Sequence, residues 1–408
     1  MSQKRITLIC SSFPPEKGAA PGRMFRLAEL LSQNGYTVSV LCAMPNYPTG
    51  KIFEGYKWKL VSRENLEGIQ VTRSWLIPTH SSRRLKRAVS QLSYVASLLL
   101  LTGRQLVNTR PETVIVSSPP FVTGYLGCLL AKKLTRAKII LNISDLWPGT
   151  AYELGFLKDG PLYRFLLRRE QNMYRLADAF TVQSEEIGRH IQRSLPDAAL
   201  FLYRNLQAPA AQATQSRPAG KRKIVYAGLL GIAQGVLDIV KAVDFAAWDT
   251  ELHIYGQGNE LQGIQDWISA HPGRCVVYKG SVAAKEIPAV LTQYHAMLIP
   301  LTQHLEGAVP SKIFNALANG LPILFSGDGE GAAIVRQTGT GLTNRAGDFA
   351  GLEKNVAILA GLTAEQYEQM RQQCIICSQE TFNKDIQDES FIQFLSTISG
   401  KAETEMEF

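Results

Sequence analysis

Two α/β domains in tandem, each a parallel sheet with helices on both faces, follow from three observations on this 408-residue chain. Strand-like and helix-like runs alternate in each half, a stretch poor in large apolar residues separates the halves, and glycines cluster directly after strands in both. In the first half ITLICSS leads into the helical run MFRLAELLSQNG and then VSVLCA, and TVIVSS, GYLGCLLAKKL and KIILNIS repeat the alternation. A second series begins at KIVYAG (Lys223 to Gly228) and continues through ELHIYG, CVVYKGS, AMLIPL and PILFSG. Between them QAPAAQATQSRPAGKR, residues 207–222, has the composition of a linker. The expected division is a Rossmann-like domain over 1–206, a linker over 207–222, and a second Rossmann-like domain over 223–375. A helix and tail over 376–408 are expected to pack back on the first domain.

Composition excludes several classes. A hydrophobic content of 45% suits a soluble globular protein, and the chain enters its first strand directly after MSQKR, so a cytoplasmic location is expected. The longest mixed apolar run, Val89 to Leu101, is interrupted by Ser90, Gln91 and Ser93 and is too short to span a bilayer. The six cysteines lie mostly in apolar segments and read as reduced core thiols. Cys374 and Cys377 form a CxxC inside a helical segment without a second pair, and the histidines show no HxxxH or HExxH spacing, so no metal is expected.

Charge divides unevenly. Residues 1–205 hold 28 Lys and Arg against 14 Asp and Glu, whereas residues 206–408 hold 15 against 21. The densest basic cluster, Arg83, Arg84, Lys86 and Arg87, runs into the mixed apolar segment from Ala88 to Thr102. Two readings fit: an amphipathic helix resting on an anionic membrane surface, or a basic helix packed in the domain with its charged end in water. No nucleic-acid-binding motif accompanies the basic residues, and no nucleic-acid partner is expected.

The segment VPSKIFNALANGLPIL, Val309 to Leu324, carries the most specific chemistry. On a 3.6-residue repeat Ile313, Phe314, Leu317, Ala318 and Leu321 form an apolar face, and Lys312, Asn315 and Asn319 form a polar one. Pro310 and Ser311 suit a helix start and Gly320 a helix end. Gly18 and Gly22, then Gly228, Gly231 and Gly235, then Gly256 and Gly258 each stand between a strand and a helix, where backbone N–H groups approach a phosphate closely.

Taken together, SSFPPEKGAAPGR, PNYPTGKIFEGY, SDLWPGTAYELG, LYRNL, YAGLLGIAQG, LHIYGQGNE, VPSKIFNALANGLP and GEGAAIV resemble the GT-B glycosyltransferases of family 4, in particular the bacterial O-antigen and capsule subgroup that includes fucosamine transferases. The resemblance implies two Rossmann-like domains facing across a cleft, and a retaining transfer of a sugar from a nucleotide-sugar donor, UDP-linked and N-acetylated, to a glycan acceptor on undecaprenyl diphosphate. It places the enzyme at the inner face of the cell membrane, with no metal or cofactor required. Lys312 would hold the donor diphosphate beside the helix start at Ser311, and Asn315 the ribose. Gly18, Gly228, Gln234, Tyr255 and Gly256 would complete the nucleotide site. Asp145 would orient acceptor or donor sugar, the alternative being a helix N-cap or loop carboxylate. Glu330 would stand near the donor sugar, and Tyr47 and Trp147 would stack on the acceptor, core packing being the alternative for Trp147. The sequence departs from the family pattern in having Asn315 where glutamate is usual, and Leu229 and Gln234 where many members carry cations. Those departures leave a non-catalytic partner protein as an alternative, with an epimerase acting on UDP-N-acetylglucosamine as a second.

Overall fold

The computed structural model describes residues 4–47, 49–79, 84–211, 213, 220–283 and 286–399. Arg83 of the basic cluster, residues 212 and 214–219 of the expected linker and the KAETEMEF tail lie outside these residues. The chain divides into two compact units, one holding residues up to Tyr203 together with the stretch that starts at Asp388, the other Arg204–Gln387.

In the first unit the described residues form eight strands: β1 (Arg5–Ile9), β2 (Thr37–Ala43), β3 (Val61–Leu66), β4 (Ile69–Ser74), β5 (Thr113–Ser118), β6 (Lys138–Ile143), β7 (Ala179–Val182) and β8 (Leu200–Leu202). Their order is β3-β4-β2-β1-β5-β6-β7-β8, parallel except for the edge pair β3–β4. Ile6, Leu8, Val38 and Val40 pack on the side that receives the helix Ala19–Gln33, while Ile9, Val114, Val116 and Leu141 face the helix Phe121–Leu134 on the other. Both faces are covered, which is why these strands read as near-continuous apolar runs rather than alternating ones. The antiparallel hairpin β3–β4 was not legible, because VSRENL alternates on an exposed edge and carries no apolar signal.

In the second unit the described strands are β9 (Arg222–Ala227), β10 (Thr250–Tyr255), β11 (Val276–Tyr278), β12 (Ala296–Pro300), β13 (Ile323–Ser326) and β14 (Gly341–Asn344). They are all parallel, in the order β11-β10-β9-β12-β13-β14. This is the doubly wound order whose direction reverses between β9 and β12, and such a switch point opens a crevice at the carboxyl ends of the strands. The equivalent reversal in the first unit falls between β1 and β5.

One expected boundary shifts. The segment that returns to the first unit starts at Asp388, not at residue 376, because Cys374 and Cys377 of the helix Ala364–Gln379 are buried in the second core. From Asp388 onward the helix Lys384–Ile398 serves the first core instead: Phe391 stacks near Phe201 at 5.5 Å, and the Tyr203 hydroxyl donates to Asp388 Oδ1 at 2.9 Å. The described part of the expected linker is anchored rather than loose. Ala210 N–H donates to the Ala318 carbonyl, and Arg371 Nη1 to the carbonyl of buried Ala213. All six cysteines are free thiols, and burial raises Cys10, Cys42, Cys128 and Cys377. No helix of the described residues is long and apolar enough to cross a membrane.

Candidate active site

At the switch point of the second unit, the helix Lys312–Ala318 directs Lys312 back over the end of β9. Its Nζ donates to the Tyr226 hydroxyl at 3.2 Å and lies 4.4 Å from that ring's centroid, and the hydroxyl in turn donates to the Leu229 carbonyl. Among the described residues no carboxylate pairs with Lys312. Removal from water therefore acts unopposed and lowers its pKa to about 8. A half-buried ammonium with one phenolic acceptor keeps N–H donors that can bond an anion.

Two glycines allow this approach. A Cβ on Gly228 would fall 2.4 Å from Lys312 Cε, and one on Gly256 would fall 1.8 Å from the Gly228 carbonyl oxygen. Both have φ near +150°, outside the range of ordinary L-residues. The sequence reading expected their N–H groups to approach a phosphate, but both are engaged in backbone hydrogen bonds. Gly228 donates to the Tyr255 carbonyl and Gly256 to that of Gly280, so what these glycines supply is space. The β9 and β10 exits are thus packed backbone against backbone, with Lys312 laid over them.

The neighbouring predicted residues fall into place unequally. Asn315 follows Lys312 on the same helix face, and its side-chain amide has no partner among the described residues. Asn319, placed on that polar face by periodicity, is buried and donates to the Asn315 carbonyl at 2.8 Å; it closes the helix end. The Ser311 hydroxyl makes no capping bond, and its own backbone is already helical. Gln234 Oε1 is enclosed without a hydrogen-bond partner among the described residues. Tyr255 bonds through its hydroxyl to Tyr294 at 2.9 Å, which bonds to His253 and through it to Glu251. Glu330 occupies the first turn of the helix Gly329–Thr338, and its carboxylate is 2.6 Å from Arg204 Nη2 with both side chains buried. Arg204, the arginine of LYRNL, escaped the sequence reading; its place beside Glu330 explains that motif as an anchor.

In the first unit, Asp145 leaves β6 with its Oδ1 accepting from the Thr150 hydroxyl at 2.6 Å. Burial raises its pKa, opposed by the Thr150 and Leu146 hydrogen bonds and by the Arg23 charge. It is not an N-cap, since Pro148 holds that position for the helix Gly149–Glu153. Arg23, a second residue that sequence reading missed, donates to Ser144 Oγ at 3.2 Å; burial and the Arg26 charge lower its pKa, and Asp145 opposes them. Trp147 packs on Phe121 at 4.9 Å against the core, the packing alternative rather than an open stacking surface. Tyr47, in contrast, is 57% exposed and borders a cavity of about 440 Å³ within this unit, shared with Gly18, Glu16 and the helix residues Gln91 and Tyr94.

Comparisons with known proteins bear on the family and the fold. Residues 19–202 match the family described as glycosyl transferase 4-like domain, and residues 221–361 match glycosyl transferases group 1. The chain is 22% identical over 339 residues to a protein of Escherichia coli strain K12 named as a colanic acid biosynthesis glycosyl transferase, WcaI, covering 78% of this chain and 81% of that one. Among solved structures, sucrose-phosphate synthase from Thermosynechococcus elongatus superposes with a TM-score of 0.74 at 16% identity, over 97% of this chain and 99% of the other. WaaG, titled a glycosyltransferase involved in lipopolysaccharide biosynthesis, gives 0.65 at 12% identity, over 97% and 100%. Anabaena HepE in complex with UDP gives 0.68 at 12%, over 97% and 100%. At these identities the structural likeness speaks for the fold alone.

Proposed function

Because the chain belongs to the family 4 glycosyltransferases of GT-B fold, we propose that it is a retaining enzyme that moves a sugar from a UDP-linked donor, N-acetylated in our reading, to a lipid-linked glycan acceptor in surface polysaccharide synthesis. The observation that carries this is Lys312, a lysine with no carboxylate partner among the described residues, at the switch point of the second sheet. In the transfer the bond between the sugar's anomeric carbon and the diphosphate oxygen breaks, and a bond to an acceptor oxygen forms on the same face. The acceptor's proton passes to the departing diphosphate. Lys312 would carry the charge that accumulates on that leaving group, in a site where removal from water strengthens the interaction. No metal or cofactor is assigned to this chemistry. Asn315, on the same helix face, would bond a ribose hydroxyl, with less strength than a carboxylate would have. The UDP in the HepE structure and the UDP-2-fluoro glucose in the E. coli trehalose-6-phosphate enzyme support the choice of nucleotide, and the naming of WcaI supports the pathway class.

A peripheral membrane location is part of the proposal. The helix Arg84–Ser97 turns Tyr94 and Val95 inward and leaves Leu85, Val89 and Leu92 exposed. The turn Leu98–Thr102 then presents Leu99, Leu100 and Leu101 to solvent. Lys86, Arg87 and Arg104 flank this patch, and no Asp or Glu occurs from residue 68 to 111. Arg84 opens the helix and Arg83 lies outside the described residues. Apolar side chains set among cations suit an anionic lipid surface.

The test is hydrolysis and binding of a panel of UDP- and GDP-sugars by the purified protein and by Lys312→Ala. Slow hydrolysis of one donor, lost in the variant while its melting temperature is kept, establishes the transferase and identifies the sugar. If no nucleotide sugar binds, the chain is a non-catalytic member of its fold.

A further inference from the structure

A hydrogen-bonded chain of four side chains runs along one face of β10 and ends beside the candidate site. Glu251, His253 and Tyr255 alternate down that strand and so share a face, and Tyr294, which follows the helix Ile287–Leu291, bridges the last two. Glu251 Oε2 lies 3.0 Å from His253 Nε2, His253 Nδ1 lies 3.0 Å from the Tyr294 hydroxyl, and that hydroxyl lies 2.9 Å from the Tyr255 hydroxyl. His253 and Tyr294 are buried, whereas Tyr255, the last residue of β10, is half-buried. The Tyr255 carbonyl accepts from Gly228 N–H, at the backbone contact over which Lys312 lies.

While His253 is neutral the chain has one consistent direction. An ionised carboxylate can only accept, so the ring proton sits on Nε2 and Nδ1 is left as an acceptor. Nδ1 then takes the Tyr294 proton in its hydrogen bond, and the Tyr294 oxygen takes that of Tyr255. The Tyr255 proton is thus turned inward, and its oxygen keeps a lone pair for a ligand. Protonating His253 reverses every bond beyond it: Nδ1–H donates to Tyr294, Tyr294 donates to Tyr255, and the Tyr255 proton turns outward. Burial lowers the His253 pKa; the Glu251 hydrogen bond and charge oppose that shift, and the Lys279 and Lys223 charges add to it. These groups reach His253 from its own strand, from β9 and from the segment after β11. Lys221 Nζ lies 3.9 Å from Glu251 Oε1, and His295, beside Tyr294, accepts the Lys223 backbone N–H at Nδ1.

Resting on the transferase reading, we propose that Glu251, His253 and Tyr294 are positioning residues that fix the Tyr255 hydroxyl as an acceptor for an N–H or O–H of the donor nucleoside, and that acid turns this acceptor into a donor.

Two measurements on the full chain at pH 7 and pH 5 test it. Ultraviolet resonance Raman spectra distinguish a phenol that donates from one that accepts, and the difference between wild type and Tyr255→Phe isolates Tyr255 without any ligand. UDP-glucose titration reads the site; this probe carries no group that titrates in that range, and Lys312 stays mostly charged across it. The expected result is a Tyr255 phenol that donates at pH 7 and accepts at pH 5, with wild-type affinity about fivefold weaker at pH 5. Tyr294→Phe, which breaks the chain at one hydroxyl, should abolish both changes while still binding UDP-glucose. A Tyr255 signal that does not change with pH, or changes equally in Tyr294→Phe, would overturn the proposal, and so would wild-type affinity equal at the two pH values. Absence of UDP-glucose binding at both pH values would overturn the nucleotide premise instead, since the ligand-free spectra still read the chain.

Discussion

Burial sets Lys312 against its own charge, and this gives the proposed donor site a pH signature. The free lysine titrates near 8, below its ordinary value of 10.5, because desolvation disfavours the ammonium. A bound diphosphate restores the charged form. UDP affinity is therefore expected to be level between pH 7 and 8 and to fall by up to about tenfold per pH unit above 8, which calorimetric titration at several pH values would show. The sign for stability is opposite. Between the folded value of about 8 and the unfolded one the unfolded chain binds more protons, so this group makes the ligand-free protein more stable as pH rises through that window. Lys312→Ala removes that buried charge and should leave the melting temperature equal or higher while UDP binding is lost. A drop of many degrees would mean that Lys312 is a structural residue.

The site is shared among elements, and two of their contacts can be tested. Gly256→Ala would drive a Cβ to 1.8 Å from the Gly228 carbonyl, and backbone cannot yield as a flexible side chain does. A loss of roughly 1–3 kcal/mol or more from strain, with UDP binding impaired through the displaced β9 exit, is expected from chemical denaturation and titration together. Arg204→Ala would strand the Glu330 carboxylate in a buried setting; the expected cost is about 3–5 kcal/mol. Partial recovery in the double variant with Glu330→Gln would identify the pair as the cause. Glu330 is therefore read at this scale as the partner that fixes LYRNL to the helix Gly329–Thr338, whatever it adds toward a donor sugar.

For the molecule as a whole, the proposed membrane location rests on the basic first half and the leucine-bearing surface between residues 85 and 101. Sedimentation with vesicles containing phosphatidylglycerol is expected to retain the protein, and neutral phosphatidylcholine vesicles to retain much less. Raising salt should weaken retention by screening. Leu99→Ser with Leu100→Ser should weaken it further at any salt, since Leu100 is 83% exposed and its loss costs the fold little. Retention unchanged by both treatments would remove this surface from the proposal.

The apolar runs and the glycines after them were enough to place β1, β2, β5, β6 and β9 to β13, because a strand covered on both faces must be apolar throughout. The eight motifs were enough for the family, and the VPSKIF segment for Lys312. Local sequence could not reveal which polar groups find partners, since those depend on residues distant along the chain. Asn319 looked like part of a ligand face until the helix end buried it. Trp147 met Phe121, 26 positions away, and Glu330 met Arg204 across 126. Glu16 was an unremarked letter in a loop motif, and only the approach of Asn46 and Tyr47 from the exit of β2 brought backbone donors to its carboxylate. Hydrophobic periodicity is a local property that survives in one dimension, whereas hydrogen-bond satisfaction and desolvation are set by what folding brings within 3 Å or so, and they decide which residues remain available for chemistry.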